Sequence, residues 1–214
     1  IAGSPFIQAE WGIVTWKALS PDDESRNGLE LTDEKWPENV ANTALIVFEI
    51  ESDIEPFSEE YIQNLYLFSK EILTIDQTNY VYSYAHFDSS MSQDEVISFW
   101  DENNDENLTS EELQILNLQR NYHKEASIGE GVVMLVVGIE GDQSSVEARE
   151  VVRNIRALES KNLQFDGEGD VHVAGIAAYN QDVLDAVAKK MPIAMAFILI
   201  SSYILIFLQV RSVI

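Results

Sequence analysis

Residues 171–208 read VHVAGIAAYNQDVLDAVAKKMPIAMAFILISSYILIFL. From Met191 to Leu208 there is no charge, and Gln209, Val210 and Arg211 follow. An uncharged apolar run of this length can cross a bilayer as a helix. Upstream, Val171–Ala174 (VHVA) has the composition of a short strand. Asn180 is a candidate cap, and no helix breaker appears between it and Pro192. The pattern predicts one helix over Asn180–Gln209, roughly 45 Å long at about 1.5 Å per residue. About a third of it would project from the bilayer, with a kink at Pro192 near the interface. A strand that runs into a spanning helix without a flexible linker ties an aqueous domain mechanically to a membrane.

Working back from that strand, the chain alternates regularly. Ala44–Ile50 (ALIVFEI) and Val132–Ile139 (VVMLVVGI) are unbroken apolar runs of strand length. Tyr80–Ala85 (YVYSYA) is a β-rich strand. Ser58–Ile75 is helical, with Tyr61, Leu65, Phe68, Ile72 and Ile75 recurring on one face. Ser58 is its expected N-cap, Glu59 and Glu60 suit the helix dipole, and Phe57 is placed to staple onto Ile62. Ser144–Ser160 is a second amphipathic helix, with Ala148, Val151, Val152, Ile155 and Leu158 inward and a capping box from Ser144 and Glu147. Two further helical pieces lie between Met91 and Lys124.

The order β-α-β, β-α-β gives an α+β class, a ferredoxin-like split βαβ (βαββαβ) domain with a helical insertion, followed by one transmembrane helix. Such a sheet runs 4-1-3-2, with the two apolar runs at its centre. Two helices cover one face, so the other is expected to meet a partner domain. Residues 1–40 read as an irregular lead-in. Within it Phe6–Leu19 carries Trp11 and Trp16 in an apolar-rich stretch, and Ser20–Asn39, with Pro21, Gly28 and Pro37, reads as loop. Residues 41–179 form the domain, and 180–214 the continuous helix, with its span at 191–210.

Net charge is −24; residues 191–214 carry only Arg211, so residues 1–190 hold one more negative charge, −25. Such a surface repels nucleic acid and anionic lipid headgroups and suits a salty or cation-rich aqueous side. There is no cysteine, which excludes disulfides and thiolate metal sites. The hydrophobic fraction of 46% leaves enough for a core once the span is set aside. No signal peptide is visible, and a first residue of Ile1 suggests a piece of something longer. Lys189 and Lys190 before the span, against Arg211 after it, argue mildly against an outside location for the domain.

Gly175, Ala178, Asp182, Lys189, Lys190, Pro192, Arg211, Ser212 and Val213 make a Gly-x-x-Ala turn, an Asp-containing helix, basic residues, a Pro-containing span and a closing Arg-Ser-Val. Gly131–Leu158 adds an apolar strand, a Gly-Asp turn and a helix with Glu-Ala-Arg. In this order the segments resemble the first extracytoplasmic porter domain and second membrane helix of MMPL-type transporters, in the resistance–nodulation–division (RND) superfamily. The resemblance covers Ala44 to the end. It implies proton-driven export of lipids or other hydrophobic molecules, with this part gating or conducting substrate on the aqueous side. It implies a location in the inner (cytoplasmic) membrane, with residues 1–190 mainly extracytoplasmic and basic residues at the outer end of the span. The implied partners are the bilayer, further transmembrane helices, a second porter domain and a hydrophobic or lipid substrate, and no nucleic acid. In the family the proton-carrying acids lie in later helices; nothing in Met191–Val210 is ionisable at neutral pH, so this span cannot hold the relay. Ser201, Ser202 and Tyr203 are its polar positions and mark a helix-packing face. The alternatives are a single-span anchored binding or sensory domain, and a protein-translocation accessory of the same superfamily. Enzymatic activity is the least expected class.

Asp101–Glu112 (DENNDENLTSEE) has the ligand spacing of a twelve-residue calcium loop at Asp101, Asn103, Asp105, Asn107, Thr109 and Glu112. Glu106 stands where that loop needs Gly. The preferred reading is a polar loop and a helix capped by Thr109 and Glu112, so no cofactor is expected and calcium is the one ion with a candidate ligand set. Asn107-Leu108-Thr109 is a glycosylation acceptor only on a eukaryotic secretory route. His86, His123 and His172 show neither zinc spacing nor a nucleophile partner and read as structural. Asp182 and Asp185 read as a solvated helix face, with lining of a substrate path as the sharper alternative. Tyr80, Tyr82, Tyr84 and Phe87 form an aromatic stripe, read as strand packing first and a hydrophobic ligand surface second.

Overall fold

The structure, a computed structural model, describes residues 19–35, 42–50, 55–162 and 171–211. The readings of residues 6–18, of Pro37 and Asn39, and of Ser212 and Val213 lie outside these. The described elements run α1 (Glu24–Lys35), β1 (Thr43–Glu49), α2 (Glu59–Ile72), β2 (Thr78–Tyr82), α3 (Gln93–Trp100), a 3-10 segment (Glu102–Asn107), α4 (Ser110–Ser127), β3 (Ile128–Gly129), β4 (Val132–Ile139), α5 (Val146–Asn162), β5 (Val171–Gly175) and α6 (Ile176–Arg211).

The class is α+β with an antiparallel sheet, ordered β2-β4-β1-β5, and β3 folding back onto β4. The two apolar runs are adjacent and central, in register from Thr43↔Gly138 to Glu49↔Val132. One face of these strands carries Ala44, Ile46, Phe48, Val133, Leu135 and Val137, all buried. It packs on Ile62, Leu65 and Phe68 of α2 and on Ala148, Val151, Val152 and Ile155 of α5. Phe48 meets Phe68 edge to face at 5.6 Å. Each fully buried aliphatic side chain here contributes about 1.5–3 kcal/mol. The opposite face, with Leu45, Val47, Met134 and Val136, is only half-buried.

Local chemistry sets the element ends. Ser58 caps α2, its Oγ accepting from the Tyr61 N–H at 3.3 Å. Phe57, expected to staple onto Ile62, packs against the core that contains Ile62 and on the rings of Tyr84 (5.3 Å) and Trp100 (4.7 Å). The helix stops at Ile72 rather than Ile75, because the chain reverses through Gln77, which has φ 70°. β2 therefore begins two residues before Tyr80 and ends at Tyr82, where a tight Ser83–His86 turn takes over.

Three further expectations are corrected. The loop read over Ser20–Asn39 contains α1, a polar helix that lacks an apolar stripe. It is supported by an Arg26–Glu30 pair one turn apart (2.7 Å) and tolerates Gly28. The cap of α5 is Ser145, whose Oγ accepts from the Ala148 N–H (3.0 Å); Ser144 donates to Asp142 instead. The last helix starts at Ile176 rather than Asn180, directly from β5, because Gly175 makes the turn on its own. α6 continues through Pro192 to Arg211, about 54 Å at ~1.5 Å per residue. The helix over Ile176–Val210 is long enough to cross a membrane, and its most apolar eighteen-residue window has a mean hydropathy of 2.4 and is unburied.

Candidate functional site

Two places bring chemistry-bearing residues together. The first is a cleft of about 560 Å³ between the outer face of β2, the turn after it, and α4. Tyr80 and Tyr82 reach it by strand alternation, and Val136 pairs with Tyr82 across the sheet. The Tyr80 ring lies over Gly138: a Cβ there would stand 2.2 Å from it, so only glycine admits the ring. From the turn comes Phe87, which stacks on His123 of α4 (4.1 Å, 24°). The Tyr82 hydroxyl and His123 Nδ1 share a 2.8 Å hydrogen bond. Tyr122, its ring 5.3 Å from that of His123, lines the outer wall and stays largely exposed. Burial lowers the pKa of His123, favouring the neutral imidazole. Tyr82 is pushed up, first by burial and then by the nearby Tyr122 phenol.

The aromatic stripe thus divides. Tyr80, Tyr82 and Phe87 line the cleft, whereas Tyr84 turns inward, fully buried, and donates to the Pro56 carbonyl at 2.5 Å. Burial raises the Tyr84 pKa strongly. The strand ends before Tyr84, so alternation no longer sets its side. His86 is a structural histidine whose Nδ1 donates to the Val81 carbonyl (2.9 Å), and His172 pairs on the surface with Glu49 (3.2 Å).

The second place is the joint between sheet and spanning helix. Gly175, at φ 114°, pairs with Ala44; a Cβ there would meet the Thr43 carbonyl oxygen at 2.6 Å. Two and three residues on, Ala177 and Ala178 are buried in the core, small enough for α6 to lie close. Asn180 donates from Nδ2 to the Gln143 carbonyl (3.2 Å), tying α6 to the loop before α5. Arg156 of α5 grips Asp182 through both Nη atoms (2.6 and 3.1 Å), and Nη2 also reaches the Val173 carbonyl (3.4 Å). A bidentate guanidinium–carboxylate pair fixes orientation as well as distance. Asp182 and Asp185 both lie on an exposed helix face, as expected; Asp182 is there ion-paired to Arg156, and Asp185 accepts from Gln181 (2.8 Å) on the same helix.

The side chains of the acidic loop are engaged with one another, with the backbone and with Arg120. Asp101 caps the 3-10 segment, accepting from the Asn103 N–H (3.0 Å) and Nδ2 (2.6 Å). Asp105 is bidentate to Arg120 (2.6 and 3.0 Å), and Arg120 Nε donates to the Phe99 carbonyl (2.6 Å). Glu112 closes the capping box with Thr109; the Thr109 N–H, then its hydroxyl, holds the Glu112 pKa below the usual carboxylate range. Asn103 and Asn107 lie in the 3-10 segment. Among the described residues no three acidic or histidine side chains converge as a metal would need. In α6, Ser201 is half-buried and Ser202 and Tyr203 are exposed.

Tyr122, Gly138 and Arg156 had no local signal. Each acts through a partner distant in sequence, as Arg156 does with Asp182.

In comparison with known proteins, a family model described as the MMPL family matches residues 85–214, more than half of the chain. No curated protein matches it. The matched stretch begins in the turn that leads to Phe87 and includes α4, β4, the Arg156–Asp182 clamp and the whole apolar helix. A sheet domain continued without a linker into a membrane-length helix is therefore matched from the wall of the cleft to the end of the span, and the chain belongs to the MMPL family.

Proposed function

We propose that this chain is the aqueous porter domain and adjoining span of a proton-driven RND/MMPL-type exporter of lipids or other hydrophobic molecules. The domain has the ferredoxin-like split βαβ plan, supported by the order β5-β1-β4-β2. It lies on the extracytoplasmic side of the inner membrane. Its half-buried apolar face, Leu45, Val47, Met134 and Val136, meets a second domain of the same kind. The hydroxyl-bearing residues Ser201, Ser202 and Tyr203 pack on neighbouring helices. Proton-carrying acids belong to helices other than α6, whose apolar run holds none.

The observation that carries this reading is the joint. β5 passes into α6 through a single glycine, and α6 is clamped to α5 by Arg156–Asp182 and to the loop before it by Asn180. A stiff joint lets rocking of the span move the sheet, as alternating access in a transporter requires. A binding module on an anchor has no use for such stiffness.

The test is a flexible Gly-Ser insertion after Asp185 in the whole transporter, with flux of the native substrate measured at matched expression. Loss of flux with intact folding and insertion is expected. Undiminished flux would sink the coupling idea and favour an anchored binding domain.

A further inference from the structure

We propose that the cleft between β2 and α4 is a binding site for an organic cation bearing a methylated ammonium group. This goes beyond the transport reading and does not depend on it. Three phenol rings and one phenyl ring, from Tyr80, Tyr82, Tyr122 and Phe87, line a space of about 560 Å³. Among the described residues no Asp, Glu, Lys or Arg lines it, and its polar edges are the uncharged Asn79 and Ser89 together with His86. A ligand with a bare ammonium or a carboxylate would leave its hydration shell for a wall without an opposite charge. A methylated ammonium is different. It asks for few hydrogen bonds, and aromatic faces attract it through their quadrupoles.

The surroundings favour the same sign. Residues 1–190 carry −25, so the domain's field gathers cations and repels anions. Asp88 lies in sequence between Phe87 and Ser89, both of which line the cleft. Its carboxylate is fully exposed and held ionised by hydrogen bonds from the Ser90 hydroxyl (2.7 Å) and N–H (2.8 Å). Three of the four rings are also held in place before any ligand arrives. Tyr82 is bonded to His123, Phe87 is stacked on His123, and Tyr80 is seated over Gly138. A rigid aromatic wall loses little entropy on binding.

The chemistry could reach the cleft as a free solute or as a lipid headgroup. The experiment therefore titrates the full chain, in a maltoside detergent, with three probes followed by calorimetry: choline, monomeric short-chain phosphatidylcholine, and 3,3-dimethyl-1-butanol, the neutral carbon analogue of choline. We expect choline to bind about two- to fivefold more tightly than the neutral analogue, the ratio a partly exposed cation–π contact of about 0.5–1 kcal/mol supports. Tyr122→Leu, at a largely exposed position, should erase that preference while keeping the apolar bulk. Tyr82→Phe should keep it, since the ring remains. Choline preferred over its neutral analogue, with the phospholipid binding more tightly still, would support the site and identify its source as a headgroup. Equal binding of choline and its neutral analogue, no binding of any probe, or an unchanged preference in Tyr122→Leu would overturn the proposal.

Discussion

Replacing Gly175 by Ala tests the joint at its narrowest point. The residue has φ 114°, a region that side-chain-bearing residues rarely adopt, and holding Ala there costs about 1–3 kcal/mol. The new Cβ would stand 2.6 Å from the Thr43 carbonyl oxygen and 3.2 Å from Ala44 Cα. Neither neighbour can give way easily. Both are backbone atoms of the central strand, and Ala44 is fully buried between β4 and β5. Overpacking of this kind adds about 1–3 kcal/mol. The sum, about 2–6 kcal/mol, is a large share of the ~5–15 kcal/mol that holds a typical domain together. Gly28→Ala supplies the opposite sign. It sits mid-helix in α1 with nothing within 4 Å of a new Cβ, so Ala should stabilise by about 0.5–1 kcal/mol. Chemical denaturation of the detergent-solubilised chain, followed by far-ultraviolet circular dichroism, reads both. A Gly175→Ala variant within half a kcal/mol of wild type would refute the close-packed joint.

Arg120→Ala should destabilise by about 3–5 kcal/mol, because it strands the Asp105 carboxylate in a largely buried pair; thermal unfolding of the same preparation checks this. Calcium at micromolar concentration should give no calorimetric signal, since Asp105 is held by Arg120 and Glu112 by Thr109; a signal abolished by Asp101→Ala with Glu112→Ala would restore the calcium loop. Burial holds His123 below the unfolded histidine value of about 6.5, so its contribution is present above that pH and lost as pH falls through the folded pKa. Unfolding midpoints measured between pH 7 and pH 5 should therefore fall, and fall less in His123→Gln; an identical slope in the variant would refute this.

What could be read in advance was whatever has a period or a run. β1 and β4 announced themselves as unbroken apolar stretches because one face is buried and the other half-buried, and α2 and α5 as stripes because one face packs on the sheet. α1 was missed since its support is ionic and local, from Arg26 to Glu30, and leaves no apolar stripe. The cap of α5 slipped by one serine because Asp142 competes for Ser144. The start of α6 slipped because Asn180 looks like a cap in sequence yet spends its amide on Gln143. The cleft was half legible: its tyrosines stood out, but Tyr122 and His123 come from a helix some forty residues on, and Gly138 matters only once the Tyr80 ring lies on it. Clamps such as Arg156–Asp182 are written in three dimensions, where no spacing rule along the chain can reveal them.

The stiff joint between sheet and span can be measured without any transport assay. The chain has no cysteine, so spin labels can be placed at will. Labels at the exposed positions Glu150 on α5 and Lys189 on α6 report whether helix and domain move as one, through the distance distribution from pulsed electron resonance. A single narrow distribution is predicted, one that broadens when a Gly-Ser segment is inserted after Asp185. A broad or two-component distribution in the unmodified chain, unchanged by the insertion, would contradict the account.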